Sequence, residues 1–250
     1  MGAAINNVAI IGKWSANIMR LNNNTVLITG GATGIGKVTE NFFLRDNTVI
    51  ICGRREARLK QAAEELPGIH TFKCDVSNDG DCKALFKYVC DSFPDTNILI
   101  NKAGIQRDID LTKGISNIES GDNEIRINFE GPVFLSALFT PFLSDKDNAV
   151  IVNVSSGLAF MPDFASGTPV YCATKAAMHS FSVSQRIQLA PLGIRVVEVI
   201  PPMVESELNL ESRKKRNMAA SPMMMSADKF IAGVMLKMER DIDEISFRNS

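Results

Sequence analysis

The stretch Val26-Leu27-Ile28-Thr29-Gly30-Gly31-Ala32-Thr33-Gly34-Ile35-Gly36 decides the fold. Its first three residues are the apolar run of a buried strand. The glycines that follow allow positive φ, a tight turn and close approach of backbone N–H groups to a ligand. A helix is predicted next, and its N-terminus can hold a pyrophosphate. The order strand, glycine turn, helix therefore predicts a dinucleotide-binding unit.

The same glycine turn has a second interpretation. The letters from Gly31 to Lys37 match a nucleoside-triphosphate P-loop, but the next residue is Val38. A P-loop has serine or threonine there, because that hydroxyl binds magnesium. We therefore favour dinucleotide binding and keep a nucleotide triphosphatase as a distant alternative.

Composition limits the class of protein. The chain has 250 residues, 45% of them apolar, and a formal net charge of −1, which suits one domain with one large core. The short basic run Arg213–Arg216 lies among polar residues and is interpreted as a solvated loop, so we expect no nucleic-acid partner. No apolar run approaches the roughly 20 residues of a membrane span, and we expect no membrane partner.

The five cysteines show no spacing typical of metal ligands or of a disulfide framework. This pattern predicts neither disulfides nor a metal site, and reduced thiols favour a location in the cytoplasm.

Seven short apolar runs alternate with longer helical patterns from Thr25 onward. The predicted strands are residues 26–28, 49–52, 70–74, 98–100, 149–154, 195–200 and 244–247, and the clearest helical stretches are 55–66, 79–92 and 125–143. Continuous apolar strands separated by helices predict an α/β fold: a single doubly wound, Rossmann-type domain with a central, mostly parallel sheet flanked by helices on both faces. We expect residues 1–20 to be a poorly ordered extension and residues 21–250 to be the domain.

The ends of the second and third strands indicate which dinucleotide is bound. An acidic residue after the second strand would accept from a ribose 2′-hydroxyl, but the chain has Gly53-Arg54-Arg55, which suits a 2′-phosphate. NADP is therefore predicted over NAD. Arg54 is the better candidate for the contact because it lies nearer the end of the strand, while Arg55 could also contact the phosphate or could be a solvated residue in the first turn of the next helix. Asp75 could accept from the adenine amino group, or it could cap the helix that begins near Asn78.

Tyr171 and Lys175 are the candidate acid/base pair. Four residues apart on a predicted helix, they leave the same face. An ammonium beside a phenol favours phenolate and lowers the tyrosine pKa, which suits proton transfer. The same spacing arises by chance in many helices, so the assignment depends on the other motifs.

Taken together, the motifs resemble those of the short-chain dehydrogenases/reductases. They occur in the order of that family from Leu21 to Phe247: the glycine turn, Asp75, Asn101-x-Ala-Gly104, Asn128, Ser156, Tyr171-x-x-x-Lys175 and Pro201. The stretches 127–143 and 170–182 are most similar to the DltE-like oxidoreductases. This subgroup takes its name from gene neighbourhood rather than from a substrate.

The resemblance implies a role for each matching residue. Tyr171 would exchange a proton with the substrate oxygen, Lys175 would hold the nicotinamide ribose, Ser156 would orient the substrate and Asn128 would place a water. The cofactor would contact Gly30, Thr33, Gly34, Ile35, Gly36, Arg54, Asp75, Val76, Asn101, Ala103, Gly104, Tyr171, Lys175, Pro201 and Val204. The implied activity is NADP(H)-dependent interconversion of a small carbonyl compound and an alcohol, in a homodimer or homotetramer, under a substrate flap at residues 203–226.

Three features depart from the family pattern. The loop between Ser156 and Tyr171 is longer than usual, Lys102 replaces an asparagine, and Pro202 replaces a glycine. Pro202 removes an N–H donor beside the expected nicotinamide site. These departures motivate an alternative of another class: a catalytically weak or inactive member that binds NADP as a sensor or scaffold.

Overall fold

Seven parallel strands form one sheet in the part of the chain that the structure describes. This computed structural model describes residues 19–32, 43–119, 121–204, 208, 224–240 and 242–247. The strands are β1 (Thr25–Thr29), β2 (Thr48–Gly53), β3 (His70–Lys73), β4 (Thr96–Asn101), β5 (Val150–Val154), β6 (Arg195–Ile200) and β7 (Glu244–Ser246). They include all seven predicted strands, within two residues at each end.

Helices connect these strands and cover the sheet. They are α1 (Glu56–Glu65), α2 (Asp79–Ser92), the short α3 (Ser116–Glu119), α4 (Gly131–Leu143), α5 (Pro169–Leu189) and α6 (Ala227–Met238). Asn78 accepts a hydrogen bond from the Asp81 N–H and so caps α2, while Ser226 caps α6 in the same way. The predicted Rossmann-type fold is confirmed. Of the extension predicted at residues 1–20, residues 1–18 lie outside the described residues, whereas Met19 is 2% exposed and packs in the core. Most of the helix predicted after the glycine turn also lies outside the described residues.

The sheet is buried on both faces, which explains its continuous apolar strands. Val26 and Ile28 pack into one core cluster with α1 and α6, whereas Leu27 packs into a second cluster with α2 and α4. Successive side chains of a strand point to opposite faces, so each strand contributes to both clusters. The result is three layers, with helices on each side of the sheet.

The strand order β3-β2-β1-β4-β5-β6-β7 reverses direction between β1 and β4. Chain connections leave β1 toward one edge of the sheet and β4 toward the other, so a crevice opens at the carboxyl ends of these two strands. The turn containing Gly30 and the segment Lys102–Gly104 both begin at this crevice. The fold therefore brings two of the predicted motifs together.

The helix that ends in α4 begins irregularly. Residues Arg126–Glu130 form a turn of π-helix, and Gly131 follows it directly. A Cβ atom built on Gly131 would lie 2.5 Å from the carbonyl oxygen of Val76. Helix α4 thus packs against the backbone after β3, and only glycine allows this distance.

Two further findings bear on the class of protein. Within the described ranges, none of the helices combines the length and the apolarity needed to cross a bilayer. All five cysteines are free thiols, and four of them are buried. The absence of disulfides agrees with the interpretation of the cysteine spacing.

We expect Gly131→Ala to destabilise the protein, because the new methyl group collides with the Val76 backbone. Overpacking of this kind costs about 1–3 kcal/mol of unfolding free energy, and the better helix propensity of alanine offsets at most about 1 kcal/mol. Urea denaturation of the purified variants measures the change. Gly53→Ala is the matched control, since its Cβ would have Leu59 Cδ2 as its nearest neighbour at 3.9 Å. Equal stability of the two variants would contradict this account of α4 packing.

Candidate active site

The turns after β1 and β4 are held in direct contact. The Thr29 hydroxyl oxygen accepts hydrogen bonds from the N–H groups of Lys102 and Ala103, both at 3.0 Å. Gly30 has a φ of +67°, and a Cβ atom there would lie 2.8 Å from the Cα of Ala103. The predicted residues Gly30 and Ala103 are therefore brought together, and no larger residue fits at position 30.

Gly104 lies at the centre of the crevice. A Cβ atom on it would lie 3.3 Å from Asn128 Oδ1 and 3.6 Å from Lys175 Nζ. The backbone beside these groups is thus left open by the missing side chain. Gly104, Asn128 and Lys175, which are far apart in the sequence, meet at this point.

Asn128 fixes the backbone of the crevice. Its Oδ1 accepts from the Ile105 N–H and its Nδ2 donates to the Ile105 carbonyl, both at 2.8 Å, and Nδ2 also lies 3.2 Å from Thr174 Oγ1. The π-helical turn positions this side chain. The amide expected to place a water is therefore occupied in structural hydrogen bonds.

Helix α5 presents Tyr171 and Lys175 to Ser156 at the end of β5. The Ser156 hydroxyl is close enough to the Tyr171 hydroxyl to oppose the rise of its pKa, and Lys175 Nζ lies 5.7 Å from the centroid of the tyrosine ring. All three residues are buried, with exposed fractions of 4–8%. The structure thus assembles the predicted serine, tyrosine and lysine.

The two ionisable groups of α5 are shifted by burial. Burial raises the pKa of Tyr171 to about 12, and the hydrogen bond with Ser156 opposes this shift. Burial also lowers the pKa of Lys175 to about 8, and the positive charge of Lys102 adds to that effect. We expected the lysine to lower the tyrosine pKa, but here burial dominates because it disfavours the charged form of each group.

Lys102 points toward the glycine turn. Its Nζ donates to the Gly30 carbonyl at 2.6 Å, while Lys175 Nζ donates to the Val154 carbonyl at 2.8 Å. Two ammonium groups therefore line the crevice. A crevice with this charge and without side chains at positions 30 and 104 fits an anionic dinucleotide.

Arg54 lies at the tip of β2, as predicted. Its guanidinium donates to Asp122 at 2.9 Å and lies 3.9 Å from a carboxylate oxygen of Asp75, and 39% of its side chain is exposed. The hydrogen bond with Asp122 raises the pKa of Arg54. Arg55 instead precedes α1 as its exposed N-cap residue. Arg54 is thus held between two carboxylates, those of Asp122 and Asp75.

Asp75 and Val76 occupy the turn after β3. The Asp75 carboxylate accepts from both the N–H and the hydroxyl of Ser77, so it stabilises a turn. It is not the N-cap of α2, which is Asn78. Its second oxygen faces Arg54.

Asn101 lies inside the sheet layer. Its Nδ2 donates to Ser136 Oγ at 3.1 Å and to Asn153 Oδ1 at 3.0 Å, and the residue is 2% exposed. Any contact of Asn101 with a cofactor would therefore come from its main chain.

The remaining predicted positions lie after β6. The Pro201 carbonyl accepts from the Gly157 N–H at 2.9 Å, which joins this segment to the Ser156 loop. Val204 is nearly buried and forms a bridge with Met225, so the two ends of the predicted flap are paired. Thr33, Gly34, Ile35, Gly36 and most of the flap lie outside the described residues.

Sequence reasoning missed Glu124. This residue is 2% exposed, and its Oε1 accepts from the Arg107 N–H at 2.9 Å. Burial raises the pKa of its carboxyl group, and its charge would raise the pKa of Tyr171. A glutamate just before a helix has the pattern of a solvated residue, so nothing in the sequence indicates this burial.

The fold and crevice define a class, the dinucleotide-binding α/β proteins. The family profile of the short chain dehydrogenases matches residues 24–217. The chain belongs to the short-chain dehydrogenase/reductase family and, within it, to the DltE-like oxidoreductases. It is 49% identical over 201 residues to the uncharacterized oxidoreductase DltE of Bacillus subtilis (strain 168), covering 80% of this chain and 79% of that protein.

Two further comparisons concern proteins with stated cofactors. An NADP-dependent 3-hydroxy acid dehydrogenase of Schizosaccharomyces pombe is 30% identical over 198 residues, covering 76% of this chain and 75% of that protein. The structure of a short-chain dehydrogenase from Sphingobium yanoikuyae in complex with NADPH superposes with a TM-score of 0.76 at 26% identity, covering 89% of this chain and 87% of that one.

We expect Lys175→Met to raise the unfolding free energy at pH 7. Wild-type Lys175 must be charged in a buried site, so its pKa falls from 10.5 in the unfolded chain to about 8 in the folded protein. Below pH 8 the charge costs about 3 kcal/mol. That cost disappears as the pH rises from 8 to 10, because the folded protein then loses the proton while the unfolded chain keeps it.

Urea denaturation of both proteins at pH 7 and pH 10 measures this effect. The informative quantity is the difference in unfolding free energy between the wild type and Lys175→Met at each pH. Burial also raises the pKa of Cys90 and Cys172, which lowers the unfolding free energy of both proteins as the pH rises through the same range. A stability difference that stays constant between the two pH values would contradict the shifted lysine pKa.

Proposed function

We propose that this protein is an NADP(H)-dependent oxidoreductase that interconverts a carbonyl compound and an alcohol, with Tyr171 as the general acid/base. The observation that carries the proposal is the meeting of Ser156, Tyr171 and Lys175 beside the open backbone at Gly104. Within the family, the acceptor or donor of hydride is a nicotinamide ring. The two ammonium groups and the glycine-lined crevice support binding of such a dinucleotide.

Bound NADPH would supply hydride to the carbonyl carbon of the substrate. Tyr171 would donate its proton to the carbonyl oxygen, giving an alcohol with no charge left on oxygen. A phenol with a pKa of about 12 is protonated at neutral pH, so it is ready to act as the acid in this direction. Ser156 would hold the same oxygen by a hydrogen bond.

Lys175 would stabilise the phenolate that Tyr171 becomes. Its pKa of about 8 leaves most of the lysine charged at pH 7 but allows proton exchange at little cost. The Asn128 side chain is bonded to Ile105, so a water between Lys175 and solvent would be held by the Asn128 main chain.

Preference for NADP is part of the proposal. Arg54 presents a partly exposed guanidinium at the tip of β2, where a 2′-phosphate would lie. One terminal nitrogen of Arg54 donates to Asp122. A guanidinium group has five N–H donors, so other donors remain for a phosphate. The NADPH complex of the Sphingobium protein and the NADP dependence of the Schizosaccharomyces enzyme support this preference.

Assembly and location are also proposals. Ile187 and Val183 on α5 are 70% and 37% exposed, and such apolar exposure supports pairing of α4 and α5 with a second copy in a homodimer or homotetramer. The free thiols support a cytoplasmic location. Residues 203–226 are proposed to cover the substrate.

We expect Tyr171→Phe to lower kcat by about 10²- to 10⁴-fold, the usual contribution of a positioned acid, while NADPH binding is kept. The assay follows NADPH oxidation with ethyl acetoacetate, acetophenone and phenanthrenequinone. Tyr88→Phe, which alters the other tyrosine of the chain, is the control and is expected to be active. A wild-type protein that binds NADPH but reduces no carbonyl compound would favour the sensor or scaffold alternative.

We expect Arg54→Leu to raise the Kd of NADPH about 10- to 100-fold, the range for loss of hydrogen bonds to a charged group, and to leave the Kd of NADH unchanged. Nicotinamide fluorescence titration measures both constants. Arg55→Leu is the matched control, because Arg55 lies at the start of α1. Tighter binding of NADH than of NADPH by the wild type would refute the role given to Arg54.

A further inference from the structure

Glu198 is a carboxylate in the middle of the sheet. It lies on β6 and is 0% exposed. One of its oxygens, Oε1, accepts a hydrogen bond of 2.5 Å from the hydroxyl of Ser155. Ser155 is the residue before Ser156, and its N–H also donates to Val199 of β6 at 3.0 Å. Glu198 therefore holds the end of β5 directly beneath the serine of the active site.

The second oxygen of Glu198 reaches α5. Oε2 lies 2.8 Å from His179 Nδ1, and the two groups form an ion pair when the histidine is protonated. Tyr171, Lys175 and His179 follow one another at intervals of four residues, so they lie along one face of the helix. The histidine ring also packs edge-on against Phe160, with 4.7 Å between ring centroids. The carboxylate is thus attached to the helix that carries the tyrosine.

These contacts form a closed chain around the active site. Ser156 lies beside the Tyr171 hydroxyl on one side, and Ser155 is connected through Glu198 to His179 on the other. Both paths cross the same gap, between the end of β5 and the face of α5. The hydrogen bond from Lys175 Nζ to the Val154 carbonyl, at 2.8 Å, crosses the same gap. Because peptide bonds connect the two serines and helical hydrogen bonds connect Tyr171 to His179, a change in the Glu198 path is expected to shift Ser156 relative to Tyr171.

Apolar packing alone does not define this gap as sharply. Hydrogen bonds have a narrow range of distance and angle, whereas apolar contacts tolerate sliding. A buried carboxylate is also costly unless both oxygens have donors. Both oxygens of Glu198 have partners, Ser155 after β5 and His179 on α5. The distance between β5 and α5 is the one that places Ser156 beside Tyr171.

We propose that Glu198 is a positioning residue that, through Ser155 and His179, aligns the hydroxyl group of Ser156 with that of Tyr171. This inference rests on the proposed function, because it concerns the same acid. Glu198 touches neither substrate nor cofactor, and its effect reaches the reaction only through the alignment of the two hydroxyl groups.

The test uses the chain's two tyrosines. In a Tyr88→Phe background, protein labelled with ¹³Cζ-tyrosine gives one tyrosine resonance, that of Tyr171, whose shift reports its hydrogen bond at pH 7 without any turnover. Ser156→Ala provides the reference shift for loss of that bond. We expect Ser155→Ala, His179→Leu and Glu198→Met to move the resonance in the same direction. Glu198→Gln and His179→Asn keep hydrogen-bonding atoms in place and are expected to move it least.

Arg186→Gln is the matched control. Arg186 also joins α5 to the sheet, by hydrogen bonds of 3.0 Å to the carbonyls of Val196 and Asp243, but it lies two turns beyond His179. We expect this variant to lower the melting temperature and to leave the Tyr171 resonance in place. An unmoved resonance in Ser155→Ala, His179→Leu and Glu198→Met would overturn the inference, and so would a movement of equal size in Arg186→Gln.

Turnover gives the second readout. With phenanthrenequinone and NADPH, we expect Ser155→Ala to lower kcat about tenfold, the size expected for weakening one hydrogen bond at the Tyr171 hydroxyl, with an unchanged Kd for NADPH. Glu198→Gln is expected to retain most of kcat. If no variant and no wild-type protein turns over, the proposed function fails, whereas the resonance alone still decides whether Glu198 positions Tyr171.

Discussion

The contact between the turn after β1 and the turn after β4 is the constraint on which the other features of the site depend. At Gly30 the two backbones come closer than any side chain allows, and Thr29 ties them together by accepting two N–H groups. This contact places Gly104 beside Asn128 and Lys175. Lys175 lies on α5 together with Tyr171, so the same contact relates the turn after β1 to the position of the tyrosine. Under the proposed function, the sites for the dinucleotide and for proton transfer would share this wall of main chain.

Charge burial is the main energetic cost of this arrangement. Lys175 is buried among main-chain groups, and a second ammonium, that of Lys102, is near enough to lower its pKa further. Neither the burial of Lys175 nor the nearness of Lys102 stabilises the folded protein, since desolvation and like-charge repulsion both oppose folding. Such costs are typical of functional sites, where groups are held in a state that the folded protein would otherwise avoid. A phosphate-bearing ligand would relieve part of this repulsion, so affinity and stability are coupled here.

Much of the fold can be predicted from the sequence, because buried parallel strands are continuous apolar runs with clear boundaries. Helix α2 begins and ends at the predicted residues, since Asn78 caps it and Pro94 follows it closely. Tyr171, Lys175 and Ser156 meet as the motif order predicts.

Local sequence patterns carry no information on the π-helical turn at Asn128 or on the direction of the Lys102 side chain. They also do not show whether burial or a nearby charge dominates the pKa of Tyr171. Each of these depends on elements distant in sequence. The same reason explains why Glu198 and Glu124 were not recognised, since a single glutamate in a strand or before a helix does not indicate its partners.

The bridge between Val204 and Met225 has a consequence for how this family diversifies. The bridge, together with the hydrogen bond from the Met225 N–H to the Met203 carbonyl, joins the two ends of the segment between them. The entropy of closing a loop grows only with the logarithm of its length, by about 0.6 kcal/mol for each doubling. Insertions, deletions and exchanges between these two residues therefore cost the framework little. Under the proposed function, evolution could thereby change which molecules are admitted, while Tyr171 and Lys175 on α5 and Ser156 after β5 stay unchanged.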